Sequence, residues 1–377
     1  MEYINREITD SINSKLFSNN VIVLYGQRQG GKTTLMKHFL KAFGEDGLYW
    51  NCEDPEIHSI LSSFQIEKIF QYFKGKRVVV FDEAQHVKQI GSLLKLLFDT
   101  HPEVQYIATG SSSFELAQQI GEPLVGRSWE FTLYPFGVTE LFNSELELKK
   151  HLDSVLLYGT YPEIWHLEKE DKEIKLKTIA SQYLYKDLLI FEGVRHSTVL
   201  QNLLRLLAAQ IGNEVSYNEL STRLETSRQT VIRYLDILEK AFVIFRLHNY
   251  HKNPRREISG KFKVYFSDLG IRNAILNQFS PIDPLTRMDL GALFENFCIL
   301  ERRKWISHHG GLLTSYFWRE GGEVDYLEEK NGKISAFECK WSPSSHIKIP
   351  KAFMRDSTPI SFQGIHRENV LEFVTSG

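Results

Sequence analysis

The sequence predicts an α/β protein whose first third is a parallel sheet built around a phosphate-binding loop, with smaller helical and α/β units after it. Three observations carry this expectation. Short apolar runs alternate with helical patterns from the start to about residue 145, as they do when a parallel sheet is covered on both faces. A glycine-rich segment follows the first of those runs. The chain of 377 residues is too long for one compact core and points to two or three domains.

Val21–Tyr25 is the first apolar run, followed by a turn and then by TLMKHFLKAF with apolar residues at helical spacing. Val78–Phe81, Tyr106–Thr109 and Glu130–Leu133 repeat the strand theme. Residues 138–195 read as helical and charge-rich, and 198–256 as short amphipathic helices ending in a strand. The remainder alternates a long helix with the strands SYFWR, EVDYL and ISAFECK. The expected domains are therefore 1–137 (nucleotide core), 138–197 (helical lid or linker), 198–256 (winged helix-turn-helix) and 257–377 (α/β).

With 42% hydrophobic and 24% charged residues, the chain is neither disordered nor fibrous. No run approaches the ~18 apolar residues of a membrane span. The opening MEYINREITD has no signal-peptide pattern. Cys52, Cys298 and Cys339 are too few and too far apart for a disulfide or zinc framework, so the expected compartment is the reducing cytoplasm, with no membrane partner. The 45 basic against 47 acidic residues exclude a binder driven by bulk positive charge but leave room for a local basic surface.

Gly26, Gln27, Arg28, Gln29, Gly30, Gly31, Lys32 and Thr33 fit G-x-x-x-x-G-K-[ST] without a mismatch, and Thr34 follows. Glycines let backbone N–H groups close on phosphates, Lys32 reaches the β- and γ-phosphates, and the Thr33 hydroxyl ligates Mg²⁺. The flanking strand and helix are the required context, and the helix start adds its positive dipole end. The strand Val78–Phe81 then ends in Asp82 and Glu83, which read as the metal's carboxylate and the residue that polarises the attacking water. The inferred ligands are ATP and Mg²⁺; no guanine-reading N-K-x-D is present.

The strand before Thr109 ends in Gly110-Ser111-Ser112-Ser113. Ser111 reads either as a γ-phosphate sensor or, with its neighbours, as part of a helix cap. Arg127 reads either as an arginine finger or as a solvated loop residue.

NELSTRLE, a tight turn and RQTVIRYLDILEKA have the spacing of a winged helix-turn-helix. Val231, Tyr234, Leu235 and Leu238 form its buried stripe, and Arg228, Gln229 and Arg233 face solvent. Such a module either contacts DNA, with Arg228, Arg233, Arg255 and Arg256 as phosphate-contacting candidates, or packs against protein. Its eight Lys/Arg against five Asp/Glu over 214–256 give only a modest basic surplus.

Near the end, Asp325 lies in one strand, and Glu338 and Lys340 alternate onto one face of the next. A hairpin through EEKNGK brings the strands together, and Glu295 on the preceding helix completes a set of nuclease type. Two carboxylates, Asp325 and Glu338, would hold a second Mg²⁺ beside the lysine. The alternative is a charged scaffold without cleavage.

YINREI, GQRQGGKTTL, VVVFDEAQHV, IATGSSSFEL, LVGRSWEFTLYPF, SQYLYKDLLIFEGV, KVYFSDLGIRN, GALFENF, FWREGGEVDYL and FECK occur in this order over nearly the whole chain. In this the chain resembles a large prokaryotic group of AAA-superfamily P-loop ATPases with a C-terminal domain of unknown function. The resemblance implies an AAA-type core, a winged-helix middle and a C-terminal part similar to PD-(D/E)xK nucleases. The expected function is Mg²⁺-dependent ATP hydrolysis coupled to the C-terminal half, acting on DNA. The alternative is a signalling switch with a protein partner or self-association and no nuclease activity.

Overall fold

In a computed structural model of the chain, the described residues are all except 1–2, 111–115, 117–119, 122, 183–196, 252–259, 312, 345–346, 357–358 and 377. Five parallel strands form the first sheet: β1 (Val21–Gly26), β2 (Gly47–Asn51), β3 (Val78–Asp82), β4 (Gln105–Gly110) and β5 (Ser128–Leu133). Their spatial order is β2-β3-β4-β1-β5. Strand side chains alternate between faces, and the apolar residues sort accordingly. Val21, Val23, Val79, Phe81, Tyr106 and Ala108 pack with helix Ile90–Thr100 on one side. Ile22, Leu24, Val78, Val80 and Ile107 pack with helix Lys32–Leu40 on the other. Both faces are covered, so β1, β3 and β4 are buried along their whole length.

The helices Val138–Leu141, Glu145–Tyr158, Pro162–Trp165 and Lys169–Gln182 follow. After helix Ser197–Ala209 come β6 (Glu214–Val215), helix Tyr217–Arg223, helix Arg228–Lys240 and β7 (Ile244–Asn249). Ser227 caps the Arg228–Lys240 helix by accepting from the Thr230 N–H. The expected stripe Val231, Tyr234, Leu235 and Leu238 is buried, and Ile237 joins it.

The last part holds β8 (Phe262–Phe266), helix Leu269–Leu276, helix Leu290–His309, β9 (Thr314–Arg319), β10 (Glu323–Lys330), β11 (Lys333–Cys339) and β12 (Ser361–Ile365). The two-residue turn Asn331-Gly332, both residues at positive φ, closes the β10–β11 hairpin with Lys330 opposite Lys333.

One seven-stranded sheet, β12-β11-β10-β9-β7-β8-β6, unites these pieces. The expected boundary between 198–256 and 257–377 therefore falls inside a sheet. β8 lies past it yet pairs antiparallel with β6 and β7. β7 in turn pairs parallel with β9, His248 opposite Tyr316. The helical segment is also tied across its expected border: Asn273 Nδ2 donates to the carbonyls of Leu156 and Leu157, both at 2.9 Å.

Candidate functional site

Gly26 ends β1 opposite Leu133, and a Cβ there would lie 2.4 Å from the Leu133 carbonyl oxygen, so only glycine lets the loop leave the sheet at this point. Gly31, at φ +96°, is the N-cap of helix Lys32–Leu40, a left-handed conformation natural to glycine. Between them the Lys32 ammonium, 4% exposed, donates to the carbonyls of Gly26 and Gln27, each at 3.1 Å. Burial pulls its pKa below the ordinary lysine value, while Glu83 and Asp82 oppose the shift.

Thr33 follows Lys32, and its hydroxyl donates to Asp82 Oδ2 at 2.6 Å. Because β4 lies between β1 and β3, the side chain at the end of β4 reaches the same carboxylate: the Thr109 hydroxyl donates to Asp82 Oδ1. Thr109 Oγ1 also accepts from the Glu83 N–H at 3.2 Å. Tyr49, from β2, donates to Asp82 Oδ2 at 2.5 Å. Glu83 sits in the left-handed region at φ 52°. Its Oε1 is 3.7 Å from Lys32 Nζ and its Oε2 accepts from Gln85 Nε2 at 2.6 Å. Lys32, Thr33, Asp82 and Glu83 thus converge as their order in the sequence implies.

A cavity of about 460 Å³ opens here, lined by Gln29, Gly31, Lys32, Thr33, Thr34 and Glu83, with Pro162, Glu163 and His166 of the helical segment opposite. That volume suits a small-molecule ligand. A glycine cradle, a lysine and a helix start match a polyphosphate, and the Thr33 hydroxyl beside the Asp82 carboxylate matches an oxygen-coordinated divalent ion. Of the other loop residues, Gln27 and Gly30 are buried and Arg28 is exposed.

Arg6 was not among the expected site residues. Its buried guanidinium donates to the Gly30 carbonyl at 3.3 Å and the Tyr134 carbonyl at 2.6 Å, and pairs with Glu140 at 3.0 Å. It ties the loop to the start of the helical segment.

Arg127 is not brought to this site. It precedes β5, and Ser128 pairs with Val21, so it stands at the far end of the strands. Five residues of strand put it roughly 17 Å from the loop. There it pairs with Asp99 at 2.7 Å on the surface. Ser111 lies outside the described residues, as do Arg255 and Arg256. Arg228 and Arg233 are exposed on helix Arg228–Lys240, Arg228 stacking over the Tyr217 ring at 5.4 Å.

At the C-terminal end the four expected residues do converge, and β8 adds two more. Lys340 Nζ is 2.6 Å from Glu338 and 3.8 Å from Asp325. Asp325 Oδ2 accepts the Cys339 N–H at 2.9 Å. Glu295 Oε1 accepts from Lys263 Nζ at 2.9 Å and from the Tyr265 hydroxyl at 2.6 Å. Lys263, fully buried, also pairs with Glu323 at 2.7 Å. Burial, opposed by Lys263 and helped by the Asp325 charge, pushes Glu295 up to about 7. Burial raises Asp325 and Glu338 as well.

In this structure the carboxylates of this cluster are held in ion pairs. The Lys263 ammonium already lies between Glu295 and Glu323, and Lys340 lies on Glu338. Among the described residues no group of three or more His, Cys, Asp or Glu side chains is arranged to hold a metal. Among them, too, no helix is long and apolar enough to cross a membrane.

Residues 18–142 match the family described as an AAA domain. Residues 149–281 and 290–370 match two families described as domains of unknown function, DUF8612 and DUF4143. An uncharacterized protein of Methanocaldococcus jannaschii is 29% identical over 86% of this chain and 74% of its own length. One of Haemophilus influenzae is 24% identical over 66% of this chain and 68% of its own. Among solved structures, the Aeropyrum pernix ORC1 protein in complex with DNA is similar at a TM-score of 0.33 and 12% identity, covering 73% of this chain and 93% of that one. The Thermotoga maritima RuvB Holliday junction branch migration motor is similar at 0.31 and 16%, covering 69% and 92%.

Proposed function

We propose that this protein is a Mg²⁺-dependent ATPase whose nucleotide state is passed to its C-terminal half, and that this half engages duplex DNA through the winged helix. The observation that carries the ATPase reading is the single buried network in which Thr33, Tyr49 and Thr109 all donate to Asp82, with Lys32 and Glu83 beside it. Bound Mg²⁺ would neutralise phosphate charge and hold the reacting γ-phosphoryl group. Thr33 and Asp82 would hold that ion's coordination shell, and Lys32 would leave its resting carbonyls for the phosphates. Glu83 orients a water and accepts its proton. Gln85 holds the Glu83 carboxylate in place.

DNA contact rests on Arg228 and Arg233 along the exposed side of the helix that would enter a major groove, with Arg255 and Arg256, outside the described residues, as further candidates from the sequence alone. The lysine-filled carboxylate cluster favours binding without cleavage, so Glu295, Asp325, Glu338 and Lys340 act as a charged scaffold. A protein partner for the same half is favoured by the overall charge of −2. The test is steady-state ATP hydrolysis with and without duplex DNA, with Lys32→Ala as the blank. Stimulation by DNA that weakens in Arg228→Ala/Arg233→Ala supports the DNA reading. A Lys32-dependent rate indifferent to DNA replaces it with the protein partner.

A further inference from the structure

The phosphate loop is bonded directly to the winged helix, and the bond is made by a loop residue that phosphate chemistry does not require. Gln27 is 1% exposed, and its Nε2 donates to the Phe242 carbonyl at 2.5 Å. Phe242 lies where helix Arg228–Lys240 gives way to β7. Its ring packs against the apolar cluster beneath the nucleotide sheet. Its backbone is left-handed at φ 57°, a strained conformation for a bulky residue that the surroundings must hold in place. The helix end itself is closed by Phe242 N–H to Glu239 O and Val243 N–H to Leu238 O, both 2.9 Å.

The other end of Gln27 belongs to the loop. Its carbonyl accepts from Lys32 Nζ at 3.1 Å and from the Gly30 N–H at 3.0 Å. Phosphates that draw Lys32 away from this carbonyl would in turn be gripped by the loop's backbone N–H groups, which fixes the peptide whose side chain holds Phe242. Gln27 Oε1 is buried with no hydrogen-bond partner among the described residues, so the side chain rests on this one bond.

We propose that Gln27 is the positioning residue through which phosphate occupancy is transmitted to the end of the winged helix's second helix; this rests on the nucleotide reading above. Nucleotide orders the loop, fixes Gln27, and makes opening of the strained Phe242 turn harder. By linkage, whatever the winged helix binds alters nucleotide affinity by the same factor.

The test is hydrogen exchange of the segment 238–246 in the full chain, with and without saturating Mg²⁺ and ATPγS, binding being measured separately. The wild type is expected to exchange about fivefold more slowly when loaded, the factor of one neutral hydrogen bond. Gln27→Leu, saturated according to its own binding curve, is expected to lose that response. Phe242→Gly keeps the carbonyl but removes the ring anchor; it is expected to bind ATPγS like the wild type and to show a weakened response. Binding without any change at 238–246 in the wild type overturns the relay and leaves the ATPase reading intact. A full response in Gln27→Leu overturns the role of that residue. Absence of ATPγS binding by the wild type overturns the relay and the ATPase reading together.

Discussion

Thr109→Val keeps the shape of a fully buried side chain and deletes one hydroxyl. That hydroxyl makes two bonds: it donates to the Asp82 carboxylate and accepts the Glu83 N–H. A hydrogen bond to a charged group contributes about 1.5–3 kcal/mol, and a buried N–H left without an acceptor costs ~1–3 kcal/mol. The expected loss of folding stability is about 2.5–6 kcal/mol if the two contributions add. Turnover suffers separately, because Asp82 loses the restraint on Oδ1 and Glu83 the one on its backbone. Misalignment costing ~1.4–2.8 kcal/mol in the transition state lowers kcat about 10- to 100-fold. Phosphate release under saturating ATP measures this, with thermal melting to confirm the fold and Ser111→Ala in parallel. A folded Thr109→Val variant with turnover within twofold of the wild type would refute the argument that Thr109 holds the catalytic carboxylates.

Gly31→Ala places a Cβ at φ +96° and is expected to cost ~1–2 kcal/mol of stability and more than tenfold in ATP affinity, read by titration of a fluorescent analogue. Glu295, raised from 4.5 to about 7, binds its proton more tightly folded than unfolded. Its contribution is complete below pH 4.5 and is lost as pH rises to about 7, a change of up to roughly 3 kcal/mol. Glu295→Gln should flatten that part of the Tm-versus-pH curve. Lys263→Gln strips the counter-charge from Glu295 and Glu323 and is expected to cost about 3–5 kcal/mol. In the Lys32→Ala background, the Tm of a chain with Lys263 intact should be indifferent to Mn²⁺; a clear rise would mean that the carboxylates take a metal after all.

The nucleotide end was legible because its signals are local. An apolar run, a glycine turn and a Lys-Thr pair lie within about fifteen residues, and Asp82-Glu83 ends a run that only a buried strand explains. β2 escaped detection because GLYWN starts on a glycine and lies at the sheet edge, half-buried at four of its five positions. The continuous second sheet was illegible for another reason. The pairing of His248 with Tyr316 spans a long stretch of chain and is specified by packing rather than by any local pattern. Arg6 carries no spacing signature, since its partners Gly30, Tyr134 and Glu140 meet only in the fold. Lys263 did leave a signal in FKVYF. A lysine inside a strand buried at every position needs carboxylate partners, and alternation puts it on the face of Tyr265, toward Glu295. That same lysine is ion-paired with Glu295 and Glu323 beside the expected metal site.

The central claim is that ATP is bound by the loop and cleaved with help from Glu83. Glu83→Gln tests it most directly, with ATP binding and single-turnover hydrolysis measured on the same preparation. Binding should stay within a fewfold of the wild type while the cleavage rate falls by a factor of ~100 or more. A variant that cleaves ATP at the wild-type rate would contradict the account, and so would a wild-type chain that binds no ATP.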